Sequence, residues 1–128
     1  MTNPPRITRT TAPPAAGIVH LGPGAFFRAF IAPYTDEAIG TGSVCGEDWG
    51  IIAVSLKSPT AREALVPQGC LYTALERGPD GDTSRQVEAI TDVLVAPEDP
   101  LAVLDIMARP EIRAVSYTHL TLPTILSV

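Results

Sequence analysis

Residues 17–30 read GIVHLGPGAFFRAF, and this stretch decides the fold. A short apolar run, Ile18, Val19 and Leu21, meets Gly22-Pro23-Gly24 and passes into a segment that can be helical. A parallel-sheet nucleotide-binding unit begins in this way. Two closely spaced glycines let the backbone turn sharply and let a pyrophosphate approach main-chain N–H groups. The helix that follows turns its positive end toward the phosphates. The usual fingerprint has a third glycine three residues after the second, and Phe27 holds that place here. An ordinary strand-to-helix turn is the competing reading of these residues. The candidate cofactor-binding residues are Gly22, Pro23, Gly24, Ala25, Phe26, Phe27 and Arg28. Of these, Gly24 is where a side chain would push into the pyrophosphate's space and would resist any positive φ.

Outward from this stretch the pattern alternates. A strand is expected over 17–21 and a helix over 26–39, with Phe27, Phe30, Ile31, Tyr34 and Ala38 near helical spacing. Pro33 predicts a kink there, or a first turn that ends near Ala32 and restarts. A loop over 40–46 leads to a second strand over 50–56. Its run Ile51-Ile52-Ala53-Val54 is continuously apolar, which suits a strand covered on both faces. Ser58 then reads as an N-cap with Pro59 at the first helical position of a helix ending near Leu65. Residues 71–76 and 85–95 read as two strands around Gly78-Pro79-Asp80-Gly81-Asp82, a hairpin-like excursion. A helix over 98–108 begins at Glu98-Asp99, with acids at its positive end, and a last strand begins at 112–115. The alternation predicts an α/β fold with a mostly parallel sheet and helices on both faces.

The longer string HLGPGAFFRAF resembles the opening of the mannitol dehydrogenase family of long-chain polyol dehydrogenases, which includes fructuronate and tagaturonate reductases. Members typically read H-L-G-x-G-x-F-H-R-A-H or F-G-x-G-N-F-x-R-A-F. Gly22, Gly24, Phe26, Arg28 and Ala29 match, whereas Phe27 and Phe30 stand where the polyol-type pattern has histidines. Phe30 suits the tagaturonate-type pattern, and His20 and Leu21 suit the mannitol/fructuronate one. The likeness continues through Tyr34-Thr35-Asp36, Asp48-Trp49-Gly50-Ile51, Leu71-Tyr72-Thr73 and the run from Val93 to Pro100. It implies a Rossmann-like dinucleotide-binding domain, incomplete, over 17–114, behind a proline-bearing flexible lead over 1–16. It implies NAD as cofactor, with NADP possible, and hydride transfer to or from a polyol or keto-hexuronate. D-mannitol/D-fructose and D-mannonate/D-fructuronate are the expected pairs. The family's general acid/base lysine lies in a helical C-terminal domain absent here, so no catalytic residue and no activity are expected of this piece alone. A non-catalytic nucleotide-binding module is the alternative.

The residues that could discriminate cofactors are fewer. An acid often ends the second strand to hold the ribose hydroxyls. Here that place reads Ser55-Leu56-Lys57-Ser58. Lys57, and Arg62 one turn later, could instead face a 2′-phosphate, or Lys57 could be a solvated lysine. His20, inside the first strand, reads as a packed, hydrogen-bonded histidine more readily than as a base. Arg28 is either a donor to phosphate or a surface arginine.

Composition sets bounds. A net charge of −5 disfavours a broad nucleic-acid or anionic-membrane surface. No stretch resembles an ~18-residue apolar span, and no metal site is expected, since Cys45 and Cys70 lie too far apart for a cluster or a disulfide framework. The cytoplasm is the expected compartment.

The end of the chain breaks the pattern. The family continues with a stretch like L-T-V-T-E-K-G-Y, but this chain ends VSYTHLTLPTILSV. The transposon mosaic end CTGTCTCTTATACACATCT followed by GACGCTGCCGACGA, used in sequencing libraries, translates in one frame as Val-Ser-Tyr-Thr-His-Leu-Thr-Leu-Pro-Thr. Residues 115–128 are therefore expected to be non-native and not to dock, Val115 and Ser116 coinciding with native residues at most by chance, and His119 carries no weight.

Overall fold

The computed structural model describes residue 9, residues 14–40 and residues 49–117. Its elements run β1 (Ala16–Leu21), a π-helical turn (Phe27–Ile31), α1 (Ala32–Gly40), β2 (Gly50–Ser55), α2 (Thr60–Leu65) and a 3-10 turn (Val66–Gln68). They continue β3 (Tyr72–Gly78), β4 (Gly81–Val87), β5 (Ile90–Val95), α3 (Pro100–Met107) and β6 (Ala114–Tyr117). Four strands form a parallel sheet in the order β5-β2-β1-β6, and β3 pairs with β4 as an antiparallel hairpin. The chain steps from β1 through β2 to β5 in one direction, then jumps to the far side of β1. The order therefore reverses between β1 and β6, the place where open α/β sheets open a crevice beyond the carboxyl ends of their strands.

Strand β2 shows how the sequence makes two layers. All six of its residues are buried. Successive strand side chains point to opposite faces. Ile51 and Ala53 accordingly join Phe27, Ala32, Leu65, Ile90 and Val93 in one core, whereas Ile52 and Val54 join Val19, Val103 and Ile106 in the other. The helical segment after β1 and α2 thus cover one face, and α3 covers the other.

The helix after β1 explains its proline. It starts regularly, with the Arg28 N–H on the Gly24 carbonyl at 3.0 Å. The register then widens, so that the Ala32 N–H reaches the Phe27 carbonyl five residues back. The next donor in that register would be Pro33, which has no N–H. The Arg28 carbonyl it would have served accepts the Tyr72 hydroxyl at 2.6 Å instead. The widened turn ends at Ile31 and α1 resumes at Ala32, so the proline is met by a restart rather than a break.

Several boundaries differ from the sequence expectation. The strand expected over 85–95 is two strands, split at Glu88 and Ala89. β4 closes the hairpin, and β5 enters the parallel sheet beside β2. The excursion is therefore confined to 72–87. An unbroken propensity run cannot show that the chain changes sheets. Ser58 does not cap α2. Its hydroxyl hydrogen-bonds with Thr60 Oγ1 at 3.1 Å, and the Glu63 N–H bonds the Pro59 carbonyl, which starts the helix one residue later. Helix α3 starts at Pro100, after Asp99, whose carboxylate accepts the Ala102 N–H at 3.1 Å.

Both ends of the chain are tied to the sheet where they are described. In the lead, Arg9 donates to the carbonyls of Gly69, Glu88 and Ile90, which fixes a residue expected to be flexible. At the other end, Val115, Ser116 and Tyr117 pair with Val19, His20 and Leu21, so these three residues dock, contrary to expectation. A four-residue β segment beside a buried parallel strand has its backbone partners supplied whatever its origin. Residues 118–128, including His119, and most of the 40–46 loop with Cys45, lie outside the described residues. Cys70 is buried, and burial pushes its thiol up to about 11.

Candidate cofactor-binding site

The turn after β1 is built by two glycines with different tasks. Gly22 has φ 87°, a left-handed conformation that favours glycine. Its N–H donates to the Val54 carbonyl at 2.9 Å and pins the turn to the end of β2. The Gly24 N–H returns to the Gly22 carbonyl at 2.8 Å, around a buried Pro23. Gly24 itself carries no left-handed φ, and a Cβ built on it meets nothing within 4 Å. The positive φ anticipated at Gly24 therefore sits at Gly22, while Gly24 keeps space open against its backbone. Because Gly24 accepts the first bond of the helix, the N–H groups of Ala25, Phe26 and Phe27 have no partner within it. Open space beside a glycine and a helix start is a setting a pyrophosphate fits.

Beneath the turn lies His20, fully buried. Nδ1 shares a hydrogen bond with Ser116 Oγ at 2.6 Å, and the ring stacks on Phe27 with centroids 3.9 Å apart and planes 11° from parallel. Burial lowers its pKa below the ordinary value near 6.5, against a weaker opposing effect from a hydrogen bond with the Gly22 backbone. His20 is thus a neutral strut between β1, β6 and the turn.

A cleft of about 400 Å³ opens over the carboxyl ends of β1, β2 and β6. Gly22, Pro23, Gly24 and Phe26 line one side, and Ser55, Leu56, Lys57 and Ser58 line the other, with Ala61 and Tyr117 completing the wall. Five of the candidate residues thus converge here: Gly22, Pro23, Gly24, Phe26 and Lys57. Three have side chains elsewhere. Phe27 is in the core and offers only its backbone N–H. Ala25 and Arg28 border a separate pocket of about 320 Å³ against Tyr72 and Thr73 of the hairpin, and Arg28 Nε is buried there without a hydrogen-bond partner. Arg62 does not face the cleft. It grips Glu98 with both guanidinium nitrogens, Nη2 to Oε2 at 2.9 Å and Nη1 to Oε1, and that contact holds the Glu98 carboxyl below the usual range.

Ser55, Leu56 and Ser58 stand at the second-strand end where the sequence puts ribose recognition, although only Lys57 was a candidate there. Ala61 and Tyr117 were not anticipated as lining residues. Tyr117 belongs to the segment set aside as non-native.

Known proteins resemble this chain in sequence and fold. The family model described as the mannitol dehydrogenase Rossmann domain matches residues 16–126. A Pseudomonas fluorescens mannitol 2-dehydrogenase, solved as a ternary complex with NAD and D-mannitol, superimposes with a TM-score of 0.76 at 42% identity, covering 82% of this chain and 22% of that one. The mannitol 2-dehydrogenase of Pyrenophora tritici-repentis is 44% identical over 104 residues, which are 80% of this chain and 18% of that protein. A polyol:NADP oxidoreductase of Gluconobacter oxydans is 41% identical over 107 residues, 80% of this chain and 21% of that protein. The chain spans about a fifth of the length of these curated relatives. Matched over most of its length by the model of the family's Rossmann domain, the chain belongs to the mannitol dehydrogenase family.

Proposed function

We propose that this chain is the cofactor-binding part of an oxidoreductase that moves hydride between NAD(P)H and a polyol or keto-hexuronate. One observation carries the reading: the Gly22-Pro23-Gly24 turn lies at the strand-order reversal, with open space over Gly24. The nicotinamide supplies the hydride chemistry when bound. The chain's own residues bind and orient. Gly22 fixes the turn, Gly24 lets the pyrophosphate near the backbone, and the helix start offers N–H donors. NAD is the cofactor named for the Pseudomonas relative and NADP for the Gluconobacter one, and the cleft suits a dinucleotide of either kind.

The substrate is a D-mannitol/D-fructose or D-mannonate/D-fructuronate pair, by analogy with the relatives' names and the sequence resemblance. Proton donor and substrate contacts belong to the remainder of a longer protein, so this piece alone is inactive. A cytoplasmic setting suits the buried thiol of Cys70. Residues 115–128 derive from adapter sequence, a reading supported by the match of residues 115–124 to the adapter's translation. Assaying polyols and keto-hexuronates with NADH and NADPH on the gene restored beyond Ala114 tests the activity. Turnover of one panel member is the expected result, and inactivity across the panel favours a binding module without chemistry.

A further inference from the structure

The hairpin has little to stand on within this chain. Residues 75–86 are exposed without a break, and Tyr72, Ala74 and Val87 are what its two strands bring to the core. A two-stranded ribbon by itself is marginal in water. Between the hairpin and the helix after β1 runs a groove made of two adjoining pockets, about 320 and about 700 Å³, which share Ala29, Ala74 and Leu75. Its rim is apolar and open: Phe30, Tyr34 and Leu75 are 47%, 67% and 57% exposed. Phe26, its ring 5.1 Å from that of Phe30, carries the same row up to the wall of the cofactor cleft. A contiguous apolar row along an open groove marks an interaction surface.

One polar group in the groove says what chemistry covers it. Arg28 Nε is buried beside the smaller pocket without an acceptor, and no carboxylate lines that pocket among the described residues. A buried, unsatisfied donor on a charged group is destabilising, and a carboxylate that presents its two oxygens to the guanidinium fork relieves it. The matched stretch is only 18% and 21% of the length of the two curated relatives, so most of a relative lies outside it. We infer that a segment from the remainder of the longer protein docks in this groove, bringing an aspartate or glutamate to Arg28 and apolar side chains onto Phe30, Tyr34 and Leu75. This rests on the reading of the chain as one part of a longer oxidoreductase and adds where the rest of it is held. The row's continuity with the cofactor cleft favours this occupant over a second copy of the chain, because the remainder must reach the cleft to supply the proton donor.

The test is amide hydrogen exchange over residues 72–87 in the protein made from the gene restored beyond Ala114. There, Arg28→Met and Leu75→Asp should each speed exchange of the hairpin at least about tenfold, while residues 50–55 of β2 keep the parent's rate. In the 128-residue chain the same substitutions should change hairpin exchange by less than about twofold, since Arg28 Nε has no bond to lose and Leu75 no cover. Should Arg28→Met fail to fold, Leu75→Asp decides alone. Unchanged exchange in the restored protein, or equal acceleration in both proteins, overturns the inference. So does a tenfold acceleration when the restored parent is diluted from dimer to monomer, which would put a second copy in the groove. Turnover on the polyol and keto-hexuronate panel is scored separately. An inactive restored protein that shows the acceleration fails only the functional reading, and an active one without it fails only the docking.

Discussion

The Tyr72 hydroxyl donates to the Arg28 carbonyl at 2.6 Å, and this bond joins the hairpin to the helix that carries the glycine turn. It exists because Pro33 cannot serve that carbonyl and the register has widened to a π-turn. Burial raises the Tyr72 pKa well above the ordinary phenol range, so the donor stays protonated.

Tyr72→Phe should therefore destabilise the chain by about 1–2 kcal/mol, since a carbonyl loses its donor inside the structure. Adding Pro33→Ala restores a backbone N–H and should recover part of that loss. Thermal melts of the two single variants and the double variant check this. Additive losses would mean that the two residues do not share the Arg28 carbonyl.

His20 sets a pH dependence. Its folded pKa lies below the ordinary value near 6.5 because burial disfavours the charged ring. The unfolded chain then binds the proton more readily than the folded one. The stabilisation is full above about pH 6.5 and is lost as pH falls through the folded value. Urea unfolding between pH 7.5 and pH 5 should show this slope, and His20→Phe, which keeps a ring on Phe27, should flatten it. An unchanged slope in the variant would assign the effect to the carboxylates.

Gly69 tests how the lead is held. Its φ is +66°, and a Cβ there would lie 2.9 Å from Arg9 Cβ. Gly69→Ala should cost about 1–2 kcal/mol from the left-handed backbone alone. It should also loosen the Arg9 side chain, which bonds the Gly69 carbonyl at 2.9 Å. Protease cleavage near residue 9 should accelerate in the variant. A melt and cleavage rate like the parent's would mean the lead is not fixed there.

Much of this architecture could be read from the chain because each layer leaves a periodic trace. The four-residue apolar run of β2 predicted a strand buried on both faces, and its alternate residues do enter two cores. Pro33 foretold the restart at Ala32. The break at Glu88-Ala89 left no trace, because strand propensity does not say which sheet a strand joins. At the site, the glycine pair marked the turn, but spacing alone could not say that Gly22 carries the left-handed φ or that Arg28 points to the hairpin. Those follow from contacts between residues distant in sequence, the Gly22 N–H with the Val54 carbonyl and Arg28 beside Tyr72 and Thr73 of the hairpin.

The tail gives a prediction in nucleic acid rather than protein. Re-sequencing the source DNA should show codons that depart from this chain beyond Ala114, with no TATACACATCTGACG at that point. Genomic recovery of that string would make residues 115–128 native, and Tyr117 a native wall of the cleft.

The cradle itself is tested most directly at Gly24. A Cβ there enters open space, so Gly24→Val should leave the far-UV dichroism and melting temperature of the chain close to the parent's. The same side chain would occupy the ground where a pyrophosphate meets the backbone. Titrating NADH and NADPH against parent and variant should therefore show binding by the parent and loss of both nucleotides, by at least about a hundredfold, in the folded variant. A folded Gly24→Val chain that binds as the parent does would show that the Gly22-Pro23-Gly24 turn is structural and holds no cofactor.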